Sequence, residues 1–81
     1  MTKQEFDNIF KEDTLPLIVR AYEQDGIPDK PARREAYNNL TDSYCKNGDI
    51  TEHQYNNWCI PDHLETTNYG HWLHGEEARG Y

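Results

Sequence analysis

The sequence predicts an all-α fold: a small bundle of three to four short helices with a partly ordered C-terminal tail. Three observations predict it. Helix-start and helix-stop residues follow one another in order through the first 61 residues. Between them, apolar residues fall three and four apart, the spacing of one helix face. The segment Arg33 to Pro61, REAYNNLTDSYCKNGDITEHQYNNWCIP after its first arginine, carries the signals of a helical hairpin almost without gaps. Residues 1–61 are expected to form the helical domain, and residues 62–81 a tail partly docked on it.

Thr2-Lys3-Gln4-Glu5 is a capping box, in which the Thr2 hydroxyl accepts from the Glu5 backbone N–H and the Glu5 side chain reaches back. Phe6, Ile9 and Phe10 follow at helical spacing, predicting a helix from residue 2 or 3 to residue 12. Pro16 is harmless in a first turn and costly in a helix interior. A second helix therefore begins near Thr14, or the first one kinks there. Its expected apolar stripe is Leu15, Ile18, Ala21 and Tyr22, and Asp25-Gly26 ends it, with Gly26 in the left-handed cap.

Ile27-Pro28-Asp29-Lys30-Pro31 reads as a rigid connector. Asp29 is the expected N-cap of a third helix over residues 30–46, with Pro31 in its first turn. Ala32, Ala36, Tyr37, Leu40 and Tyr44 form its buried stripe. Asn47-Gly48 stops it. Thr51 and Gln54 form a second capping box, with Ile50 and Tyr55 placed as a hydrophobic staple. Tyr55, Trp58 and Cys59 make the inward face of this fourth helix, and Pro61 ends it. The last twenty residues lack periodicity. Leu64, Tyr69, Trp72 and Leu73 are apolar enough to dock, a short helical turn fits at 62–66, and residues 75–81 are expected to fray. The core should contain Phe6, Ile9, Phe10, Leu15, Ile18, Tyr22, Tyr37, Leu40, Tyr44, Tyr55 and Trp58.

Eighty-one residues at 35% hydrophobic content leave room for one modest core, concentrated in six Tyr, two Trp and two Phe. The net charge is −7 and unevenly spread: −4 over residues 1–29, +2 over 30–48 and −5 over 49–81. DNA and RNA would be repelled by most of this surface, and a basic protein attracted. No apolar run spans a membrane and no secretion signal opens the chain, so a cytoplasmic protein with free thiols is expected. The Asn39-Leu40-Thr41 sequon then has no use.

Few residues suggest chemistry. Cys45, Cys59, His63, His71 and His74 are of zinc-ligand type, but no paired knuckle organises them. Cys45 and Cys59 are better read as buried hydrophobes. Lys46 to Glu52 resembles the middle of an EF-hand loop, yet the first and twelfth positions are Ser43 and Gln54, where Asp and Glu are needed. As a helix–turn–helix reader, the hairpin would present Glu52, His53, Asn56 and Asn57, with no Lys or Arg between residues 47 and 78. Ser43 has no partner motif. No enzyme activity and no cofactor are expected. Asp7, Glu12, Asp13, Glu23, Asp25 and Asp29, with Asp49 and Glu52, are the expected partner-binding residues. Set along one rigid face, such carboxylates could imitate a row of phosphates and occupy a nucleic-acid groove.

Lys46, Gly48, Ile50, Thr51, Glu52, Gln54, Tyr55 and Trp58 follow a K-x-G-x-I-T turn and an E-x-Q-Y-x-x-W run. Over about a third of the chain this resembles short acidic accessory proteins encoded by tailed bacteriophages. The resemblance implies a job of binding and disabling a host enzyme or defence complex, as anti-CRISPR and anti-restriction proteins do, in the cytoplasm of a bacterial host. The competing expectations are a small structural zinc module and a self-associating module that pairs chains through Tyr69, Trp72 and Leu73.

Overall fold

Thr2 starts the first helix as expected. In the computed structural model, which describes residues 1–70 and residue 72, its hydroxyl accepts from the Glu5 N–H at 3.1 Å. The Glu5 carboxylate accepts the Thr2 N–H at 2.8 Å, and this backbone hydrogen bond is the main reason its pKa lies below the usual glutamate value. Helix α1 covers Lys3–Ile9. A five-residue π-helical segment, Phe10–Thr14, joins it directly to α2, Leu15–Tyr22.

The break expected near Thr14 is therefore a widened turn. In an α-helix Pro16 would leave the residue 12 carbonyl without a donor and crowd it. The Leu15 N–H instead donates to the Phe10 carbonyl five residues back, and Pro16 falls in the first turn of α2. The extra residue re-phases the inward face. After Phe6 and Phe10 the inward positions become Leu15 and Val19, all four fully buried, and the next is residue 23.

This shift corrects three assignments on α2, the first being Ala21, which was placed on the apolar stripe and is exposed. Val19, left off the predicted stripe, is core. Tyr22 was expected inside but is 64% exposed, because Glu23 has taken the inward position.

Helix α3, Lys30–Lys46, runs antiparallel to α1 and α2. Asp29 caps it by accepting the Ala32 N–H at 3.0 Å. Tyr37 meets Phe6 and Phe10 edge-on at 5.1 and 5.2 Å, and Tyr44 meets Phe6 at 5.4 Å. The Tyr37 hydroxyl donates to Asp7 at 2.6 Å. Burial pushes the Tyr37 pKa upward, and Asp7 reinforces the shift.

Gly48, at φ +83°, turns the chain into α4, Glu52–Asn57. Thr51 and Gln54 form the expected capping box, and Ile50 is buried. Helix α4 stops earlier than predicted. Pro61 restricts the residue before it to extended backbone, and the chain is already extended at Trp58. Asn57 donates to the His53 carbonyl at 2.6 Å, closing the last turn. Trp58 still packs on Phe6 at 5.5 Å. Tyr55 is 37% exposed and Cys59 is exposed, so neither lies on the inward face predicted for them. Cys45 and Ile9 are half-buried.

The core continues past Pro61. Helix α5, Asp62–Thr66, buries Leu64, and Trp72 is buried with its ring stacked on Tyr69 at 4.7 Å. The predicted fraying of residues 75–81 lies outside the described residues, as does Leu73. Among the described residues no strand occurs, and no helix is long and apolar enough to cross a membrane.

Candidate functional site

Glu23 was expected to face a partner and instead lies in the interior. The π segment turns it inward, where an isolated carboxylate would be costly. Arg33 answers it from α3. Arg33 Nε donates to one Glu23 oxygen at 2.8 Å and Nη2 to the other at 2.6 Å, a two-pronged pair whose side chains are almost entirely buried. The third nitrogen, Nη1, donates to the Thr67 carbonyl at 2.7 Å and reaches the Leu64 carbonyl at 3.4 Å. The Asp29 N–H adds a bond to Glu23 at 3.0 Å, and the Tyr69 ring lies 5.7 Å from the guanidinium carbon. The network ties the end of α2, the start of α3 and the segment after α5 into one corner.

The remaining predicted acids are spread over the molecule. Asp7 is half-buried and occupied with Tyr37 and with Lys3, at 2.8 Å. Glu12 and Asp13 are exposed on the π segment. Asp25 and Asp29 flank the connector between α2 and α3. Asp49 and Glu52 lie beyond the other end of α3, whose 17 residues span about 25 Å. The eight residues therefore do not share one face, and a single row of phosphate-like charges is not formed from them.

What the fold does bring together is a concave surface between α2 and α3. Ile18 and Tyr22, one turn apart on α2, oppose Ala32 and Ala36, one turn apart on α3. Between them lies a groove of about 490 Å³ with Asp29, Pro31, Glu35 and Asn39 in its walls. A second hollow of about 320 Å³ adjoins it, sharing Tyr22, Asp29 and Pro31 and adding Asp25, Ile27, Pro28 and Lys30. Ile27 is 66% exposed beside the exposed Tyr22. The two hollows together carry three carboxylates, Asp25, Asp29 and Glu35, against one ammonium, Lys30. Glu35 lies on the exposed side of α3, and nothing in its sequence neighbourhood marks it. Only the packing of two helices reveals its place beside a groove.

Among the described residues the zinc-type side chains, Cys45, Cys59 and His63, do not converge. Among the described residues no group of three or more His, Cys, Asp and Glu side chains is placed to hold a metal ion. Cys45 and Cys59 are free thiols, and His63 is exposed on α5. His71 and His74 lie outside the described residues. No protein-family model, no curated protein and no solved structure matches the chain.

Proposed function

We propose that this chain is a non-catalytic binding protein whose partner is a protein with a basic surface. One observation carries the reading. Glu12, Asp13, Glu35, Asp49 and Glu52 are exposed, and among the described residues none takes part in an ion pair. Unneutralised surface charge of one sign accelerates encounter with an oppositely charged surface and makes it sensitive to salt. The finer reading is an inhibitor of a host defence complex, acting at its nucleic-acid-binding surface. It draws on the charge and on the resemblance to phage accessory proteins.

The experiment is affinity capture from a bacterial lysate at low and high salt, with mass spectrometry of the retained proteins. The expected result is a basic protein held at low salt and released at high salt. Reversing Glu12 and Asp13 to lysine together should weaken that capture while leaving the helical circular dichroism unchanged, since both side chains are exposed. A partner held equally by the reversed chain, or equally at both salt concentrations, refutes the electrostatic model. The identity of the captured protein decides the finer reading.

A further inference from the structure

We infer that the concave surface between α2 and α3 is the contact point, and that it receives a segment of the basic partner presenting an apolar side chain flanked by lysine or arginine. The inference rests on the proposed function and specifies its site and ligand chemistry. The groove supplies the apolar half of the recognition. Ile18, Ala32 and Ala36 line it, and the largely exposed Tyr22 stands where the two hollows meet. Tyrosine in such a place offers a large contact area at low entropic cost and is over-represented among the residues that dominate binding energy.

The rim supplies the other half. Asp25, Asp29 and Glu35 outnumber Lys30, so a cation beside the inserted side chain finds carboxylates within the same two hollows. Asp29 already accepts the Ala32 N–H and Asp25 the Ile27 N–H, whereas Glu35 makes no ion pair among the described residues, so a purely apolar segment would leave the Glu35 charge uncompensated. A purely basic one would leave Tyr22 and Ile27 uncovered. The groove is also held in shape from beneath. Asp29 is tied through its N–H to Glu23, and Glu23 to Arg33, so the wall is set before any ligand arrives.

The test is amide-shift mapping by NMR on the full chain with three synthetic peptides of equal length. The first carries leucine flanked by lysine and arginine. The second replaces the leucine with serine. The third flanks the leucine with glutamate. The first peptide should move the amides of Ile18, Tyr22, Ala32, Glu35 and Ala36 and bind more tightly than the others. Tyr22→Ala, which truncates the central contact, and Glu35→Lys, which reverses a rim charge, should each weaken it about five-fold or more. Both residues are exposed, and a spectrum with wild-type dispersion verifies the fold of each variant. Equal binding of the first two peptides, or shifts centred on Asp49 and Glu52, overturns the groove. If a captured basic protein is released by salt yet retained equally by Tyr22→Ala, the groove is wrong and the proposed function stands. If no basic protein is captured and neither basic peptide binds, both fail.

Discussion

Replacing Arg33 with alanine should destabilise the protein more than any surface substitution. Four groups lose a partner at once: both Glu23 oxygens and the carbonyls of Leu64 and Thr67. Glu23 would remain almost fully buried without its counter-ion. Removing one member of a buried pair costs about 3–5 kcal/mol. A chain of 81 residues has about 4–12 kcal/mol of stability in total. The variant should therefore lose a large share of its folding free energy, with the melting temperature falling by about 12–24 °C for the first 3 kcal/mol. Urea unfolding followed by tryptophan fluorescence measures the change. The paired variant, Arg33→Met with Glu23→Leu, tests the cause. It removes both charges, so it should be more stable than Arg33→Met alone, although the Asp29 N–H and two carbonyls still lose a partner. A cost below about 1 kcal/mol for Arg33→Ala, or strictly additive single variants, would refute the argument that an unpaired buried charge dominates.

Three other outcomes follow from the geometry. The native state holds the Tyr37 proton more tightly than the unfolded chain does, so the stability contributed by the neutral phenol is present below pH of about 10 and declines as the pH rises above it. Tyr37→Phe should flatten this alkaline decline in a pH series of urea midpoints, and an unchanged slope would assign it elsewhere. A chain ending at Pro61 loses Leu64, Trp72 and both carbonyl partners of Arg33, and should show no cooperative thermal transition by circular dichroism; wild-type melting would mean that residues 62–72 contribute little. Gly48→Ala places a side chain at φ +83° and should cost about 1 kcal/mol in urea unfolding, although no atom obstructs the added methyl; a neutral effect would show that the turn relaxes freely.

Much of the fold was legible in the sequence because its signals are local. A cap at Thr2, Asp29 or Thr51 needs only residues three positions apart, and a glycine stop needs only its own backbone. Those readings place the starts of α1, α3 and α4 and the turns at Gly26 and Gly48. The register after Pro16 was not legible in the same way. Whether a proline kinks a helix, breaks it or inserts a π turn depends on which choice buries the better face. Here the inserted residue aligns Leu15 and Val19 with Phe6 and Phe10. The Glu23–Arg33 pair was hidden for a related reason. Ten positions apart, on different helices, an acid and a base look like two solvated side chains until tertiary structure turns both inward.

The same inserted residue connects the core to the candidate site. An uninterrupted α-helix would carry Phe6 and Phe10 forward to Thr14, Ile18 and Tyr22, with Tyr22 inside and Glu23 in solvent. The π segment makes Leu15, Val19 and residue 23 the most deeply buried positions, while Ile18 stays in the core at its edge. Tyr22 leaves the core for the groove, and Glu23 enters it. Glu23 then requires a buried cation, and Arg33 can supply one because α3 begins just after the short connector that Asp29 caps. The arginine is long enough to reach the carbonyls of Leu64 and Thr67 as well, which brings the chain beyond α5 onto the helices. One widened turn thus accounts for the exposed tyrosine, the buried ion pair and the anchoring of α5 and Thr67. The groove opens where this re-phased α2 meets the two alanines of α3. The groove, the outward Tyr22 and the charged support beneath them are the features from which the docking of a partner's side chain is inferred.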